Sequence, residues 1–181
     1  DRMMPDSSDS PLWLFCLALY ARPEVAERCL NLQDRCHADV TIILYLLWLA
    51  SLKRRLDDTE IERITSTTQD WRERIIKPLR ALRRGLKNSQ SMPTQTAAER
   101  LRQLLKKLEL DAEKLQLQRL FESTQPSLPG DHTDNIIEAC RSNLEIYNQT
   151  LGHRFDVADI DTLIHAMNLE TGAPNQTDGR S

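Results

Sequence analysis

Glycine, aromatic residues and long apolar runs are all scarce in this chain of 181 residues. With 5 glycines it can supply few tight turns or phosphate-cradling loops. Aromatics make up 5% of the residues and none is interleaved with the basic ones, which argues against a stacking platform for single-stranded nucleic acid. The longest apolar runs, 12–21 and 40–50, are about half of the ~20 residues that a helix needs to cross a bilayer, so no membrane insertion is expected. An acidic stretch (Asp6, Asp9) precedes the first run, and no small-residue cleavage pattern follows it, so it does not read as a signal peptide. The four cysteines (Cys16, Cys29, Cys36, Cys140) form no C-x-x-C pair, unlike a zinc ribbon or a thioredoxin-type motif. Cys16 and Cys29 fall in apolar helical patterns, where a thiol packs as a small hydrophobe. A reduced, cytoplasmic protein is the simplest expectation.

What is abundant is Leu, Arg, Gln, Glu and Lys, all good helix formers. The expected fold is all-α: a compact bundle of about six to seven helices in one domain over 10–169, with loose ends at 1–9 and 170–181. Ser10-Pro11 opens a helix to about residue 21. A second runs over 24–35, and Asp39 caps a third over 40–54 whose interior is apolar on every side. Such a helix is surrounded by others, so it is placed at the centre. From 59 to 87, Ile61, Ile64, Thr68, Trp71, Ile75, Leu79, Leu82 and Leu86 recur every three or four residues as a heptad-like seam. Pro78 should kink this helix. After a linker at 88–95, a long amphipathic helix over 96–123 is carried by Leu101, Leu104, Leu105, Leu108, Ala112, Leu115 and Leu120. Helices over 133–151 and 157–168 complete the chain, the last with Asp156 as cap and Asp159 in a capping-box position. Nothing reads as strand apart from the apolar run 40–47, whose pattern fits either state.

The stretch LWLFCLALYARPEVAERCLNLQDRCHADVTIILYLLWLA, with WRERIIKPLRALRRGLK downstream, resembles a small bacterial all-helical family, conserved and of unknown function. The resemblance is good over 12–90, thinner to about 120 and slight beyond. It rests on Tyr20, Cys29-Leu30, Leu32-Gln33-Asp34, Asp39-Val40, Trp48-Leu49-Ala50, Trp71, Pro78-Leu79-Arg80, Arg83-Arg84 and Leu86-Lys87. It implies an all-α, cytosolic bacterial protein and no activity. The family usually has Gly where His37 stands and Asn where Thr41 stands, so it gives His37 no role.

Charge is strongly segregated. Residues 1–52 hold 4 bases and 7 acids, 53–107 hold 15 and 7, and 108–181 hold 5 and 13, giving −3, +8 and −8. Within 71–87 seven bases stand beside one acid, Glu73. At 100° per residue Lys77, Arg80, Arg84 and Lys87 form a stripe opposite the apolar seam, with Arg83 beside it. That face suits an acidic protein or, as the alternative, nucleic acid or the ribosome. It also suits solvent, or pairing with the acidic C-terminal half.

No catalytic constellation is visible, and no metal or cofactor is expected. Gln33, Asp34 and Asp39 lie between the two most apolar helices and could frame a small-molecule or enzymatic site with Trp48 and Trp71. The simpler reading is a structural polar network in which Asp39 caps its helix, Asp34 meets Arg72 or Arg83, and Trp71 packs nearby. Glu109 and Glu113 stand one turn apart as di-iron ligands do, but no E-x-x-H occurs; pairing with Lys106 and Lys114 is expected instead. Asp57-Asp58 reads as a helix cap, and 156–161 lacks the glycine and closing glutamate of a calcium loop. The exposed part of the 61–86 seam could join two copies as a homodimer.

Overall fold

A computed structural model describes residues 9–87 and 95–168. The expected loose ends and most of the expected linker at 88–95 lie outside the described residues. The fold is an all-α helical bundle. Its elements are α1 (Pro11–Tyr20), α2 (Val25–Cys36), α3 (Val40–Ser51), β1 (Arg54–Arg55), α4 (Asp58–Trp71), a π-helical turn (Arg72–Ile76), α5 (Lys77–Lys87), α6 (Gln95–Glu122), β2 (Asp131–His132), α7 (Ile136–Thr150) and α8 (Val157–Asn168). The chain makes two compact units, one from 1–14 and 59–128, the other from 15–58 and 129–181.

In the second unit α3 is the core: every residue from Thr41 to Ala50 is buried. Helix α7 packs on it, and α2 packs on both α3 and α8. Asp39 starts α3, its carboxylate accepting from the Thr41 N–H (3.0 Å) and hydroxyl (2.7 Å). His37 ends α2 at φ +59°, with its N–H on the Leu32 carbonyl. A left-handed residue at a helix C-terminus favours glycine, which accounts for the glycine of the resembling family at this position. The two β segments pair antiparallel, Arg54 with His132 and Arg55 with Asp131, and were not expected; two residues are too short for any period to appear in sequence. The ambiguous run 40–47 is helix. Gly130 is required beside them: at φ +84° a Cβ would lie 2.7 Å from the Arg55 carbonyl oxygen. Asn143, wholly buried, ties the parts together. Its amide donates to the carbonyls of Leu46 (3.3 Å) and Arg54 (3.1 Å), and its oxygen accepts from the Leu56 N–H (2.9 Å).

Asp156 caps α8 by accepting from the Ala158 N–H at 3.1 Å. Asp159 does not complete a capping box; buried, it turns to Arg28 of α2, 3.3 Å away. That carboxylate is the leading reason the guanidinium of Arg28 holds its proton more tightly than usual. All four cysteines are free and buried, and burial pushes the thiols of Cys29 and Cys140 up to about 12. Such thiols are inert packing groups.

In the first unit the 59–87 helix is continuous but changes phase. At its middle the Lys77 N–H reaches the Arg72 carbonyl, five residues back. Pro78 can offer no N–H to Arg74, and its ring would crowd that carbonyl in a regular helix; the widened turn just before it relieves both. One extra residue rotates everything downstream by about 100°. Up to the turn the buried side chains are Ile61, Ile64 and Thr68. At the end of the turn Ile76 is buried while Ile75 of the expected seam is 36% exposed, and beyond it Leu82 is 59% exposed.

Candidate functional site

The rotated face carries charge inward. Arg80 Nε donates to Glu109 (2.7 Å) and its Nη2 to Glu113 (3.0 Å), while Arg83 Nε donates to the other oxygen of Glu109 (2.6 Å). Since higher numbers on α5 meet lower numbers on α6, the two helices form an antiparallel hairpin closed by ion pairs. Glu109 is buried and both arginines are mostly covered. Burial alone would raise the Glu109 carboxyl, yet the guanidiniums of Arg83 and Arg80 outweigh it and hold it below its ordinary value. Burial likewise opposes the charge on Arg80, and Glu109 and Glu113 overcome it. The expected pairing of these glutamates with Lys106 and Lys114 is therefore replaced: Lys114 bonds Asp9 at 2.6 Å and lies over the ring of Trp13.

Helix α6 is rotated in the same sense relative to expectation. Its buried residues are Glu109, Ala112, Gln116, Leu117 and Leu120. Leu101 (42%), Leu104 (57%), Leu108 (53%) and Leu115 (59%) are exposed. The expected apolar face was centred on these leucines; the hairpin instead meets through the carboxylates of Glu109 and Glu113, each set against a guanidinium.

Two right-handed antiparallel helices that face each other through Arg80/Arg83 and Glu109/Glu113 have a fixed arrangement of their other sides. The row Ile75, Leu79, Leu82 and Leu86 and the row Leu101, Leu104, Leu108 and Leu115 fall on one side of the hairpin. Lys77, Arg84 and Lys106 fall on the other, with Lys87 near its edge, and all four are exposed. Lys77 also bonds Glu73 one turn back. The stripe read from sequence is thus divided: Arg80 and Arg83 close the hairpin, Lys77 and Arg84 remain on its outside, and Lys87, one turn after Arg83 on the same face, is exposed at the end of α5.

The polar network expected around Gln33, Asp34, Asp39, Arg72 and Trp71 spans both units. Gln33, Asp34 and Asp39 belong to the second, Trp71 and Arg72 to the first. Asp39 is buried and Asp34 exposed. The Asp39 N–H donates to the hydroxyl of Tyr147 (2.9 Å), a wholly buried residue of α7 whose ring stands edge-on to Phe155. Trp71 is half-buried, and its indole N–H donates to the Ala112 carbonyl at 2.9 Å. Sequence reading missed Asn143 and Tyr147 as buried polar anchors; lone Asn and Tyr residues inside apolar periods carry no motif. Glu109 it noticed, and the i, i+4 Glu109/Glu113 pair beside an excess of arginine was the available signal.

A cavity of 370 Å³ lies in the first unit, lined by Asp9, Ser10, Trp13, Asp111, Lys114, Leu115 and Gln118. Among the described residues no group of three or more His, Cys, Asp or Glu side chains could hold a metal ion. Also among them, no helix is long and apolar enough to cross a membrane.

Comparison with known proteins gives one finding. No curated protein and no solved structure matches the chain. The profile of a family described as "protein of unknown function (DUF2390)" matches residues 11–120, a span that takes in α1 to α5 and nearly all of α6. The chain therefore belongs to the DUF2390 family of proteins of unknown function.

Proposed function

We propose that this is a non-catalytic, cytosolic interaction protein that engages an acidic protein partner through the outer side of the α5–α6 hairpin. The observation that carries the reading is the division of the arginines and lysines. Glu109 and Glu113 meet the inward Arg80 and Arg83, while Lys77, Arg84 and Lys106 stand exposed on one side and Lys87 is exposed at the end of α5. A cationic surface of this kind recruits acidic partners by long-range attraction that salt screens. The four free, buried thiols suit a reducing cytosol.

Fluorescence anisotropy with labelled poly-glutamate, at low and raised salt, tests it. The native chain should bind in a salt-sensitive manner, and Arg84→Glu/Lys87→Glu should weaken binding by about tenfold or more. Binding that ignores both salt and the reversal would end the reading. Nucleic acid is the second candidate for the same side, because phosphates satisfy the same cations. It would be favoured by nuclease-removable absorbance at 260 nm in the purified protein. An enzymatic site about Asp34 and Asp39 gains no support from the geometry, since the buried carboxylate of Asp39 is engaged by Thr41. An interaction protein of this kind can also pair with its own copy, as the half-exposed seam of α5 invites.

A further inference from the structure

We infer that the leucine side of the α5–α6 hairpin is a self-association surface, on which a second copy of this chain lies antiparallel with its two-fold axis at Leu108. The surface is built from two rows. On α6, Leu101, Leu104, Leu108 and Leu115 are each between 42% and 59% exposed, and on α5 Ile75 and Leu82 are 36% and 59% exposed. Leucines of one α6 stripe left open to water are unusual, because that stripe is the helix's main apolar content. Exposed contiguous apolar surface of this kind marks an interaction site.

The spacing selects the occupant. Leu101 and Leu115 stand symmetrically about Leu108, so an antiparallel copy of α6 sets Leu101 against Leu115 of its twin and Leu108 against Leu108. Leu104 then falls at the level of Ala112, which is buried on the inner face of α6, so the pairing rests on Leu101, Leu108 and Leu115. A two-fold contact must be self-complementary in this way. Charge agrees with the register. Lys107 and Asp111 flank the row on the edge away from α5, and in the antiparallel copy each Lys107 lies within about 3 Å, along the axis, of the level of the other copy's Asp111. Size agrees as well. The rows extend ~21 Å along α6 and about two helix widths across, a patch of ~400 Å² before side-chain relief is counted, within a factor of two of the ~800 Å² per copy that a stable dimer buries. Segments 169–181 and 1–8 fit poorly as occupants: the first holds one leucine and no aromatic residue and the second two adjacent methionines, so neither offers apolar anchors one turn apart.

This surface is opposite the basic side, so self-association and acid binding fail separately. Sedimentation of the full chain from about 1 to about 200 µM tests the inference through mass action. A monomer–dimer equilibrium is expected, unchanged by Arg84→Glu/Lys87→Glu. Leu104→Glu/Leu108→Glu should weaken it by at least about tenfold with helical content unchanged and the same thermal midpoint at concentrations where the native chain is monomeric, since both positions are open to solvent in the single chain. Lys107→Glu should weaken it and Lys107→Glu/Asp111→Lys should restore it. Leu108→Cys should give a covalent dimer under mild oxidation, because the two thiols meet on the axis. A native chain that stays monomeric throughout, a well-folded double leucine variant as dimeric as the native one, or a Leu108→Cys chain that does not cross-link would each overturn the proposal.

Discussion

Glu109 answers two guanidiniums with one carboxylate, and its removal leaves both mostly covered and without their main counter-charge. Glu109→Ala should cost about 3 kcal/mol of unfolding free energy in urea titrations near pH 7. The same group sets a pH dependence. Its carboxyl is held below the ordinary 4.5 in the folded chain, so the stability it contributes is fully present above that value and is lost as pH falls below it. The native protein should therefore lose stability more steeply than the Glu109→Ala variant below pH 4.5, and equal slopes would refute the assignment. Asn143 allows a test free of charge. Asn143→Leu keeps the volume but strips partners from the Leu46 and Arg54 carbonyls and the Leu56 N–H, and should cost about 3 kcal/mol. Residue type and spacing made Asp39 readable as a cap, because a cap depends on neighbours in sequence. The partners of Glu109 and Asn143 come from 26 to 97 positions away, and no local pattern records them.

Among the elements, α3 was plain in the sequence because its apolar content leaves no polar side to expose. The long helix over 59–87 was equally plain in extent, and its expected facing holds at Ile61, Ile64 and Thr68 but not at Ile75 and Leu82. Its period continues smoothly through 75, 79, 82 and 86, and only Pro78 hints that the backbone does not follow. The π-helical turn at Arg72–Ile76 absorbs the proline and turns Ile76, Arg80 and Arg83 inward. A double-mutant cycle can isolate that coupling. Deleting Arg74 closes the turn into regular helix and forces Pro78 into its interior, which should cost about 3 kcal/mol on top of the loss of the inward-facing Ile76, Arg80 and Arg83. In a Pro78→Ala background the same deletion still turns Ile76, Arg80 and Arg83 away from α6 but no longer sets a proline in regular helix, so it should cost about 3 kcal/mol less than in the native chain, and thermal unfolding followed by circular dichroism would show the difference. Additive costs would mean that the wide turn has another cause.

For the molecule as a whole, the unit is a better frame than the segment for reading charge. The first unit holds 15 bases and 12 acids, the second 9 and 15, so +8 and −8 by segment become +3 and −6. Part of the neutralisation is internal to the hairpin, through Glu109 and Glu113. The second unit is assembled from both ends of the sequence, and the family-matched span 11–120 stops short of α7, which covers α3. A chain ending at Leu128 should accordingly aggregate or bind a hydrophobic dye, whereas the full chain should not; a clean monodisperse fragment would contradict the packing. The same topology dictates an order of events on the ribosome. Helix α3 leaves the tunnel with its apolar surface complete, and its cover at Ile136–Thr150 is still being synthesised. At roughly 5–20 residues per second the wait is of the order of 5–20 s. During that interval ten consecutive buried-to-be residues of α3 are open to chaperones or to neighbouring nascent chains, which makes the speed of translation across 52–135 a determinant of yield.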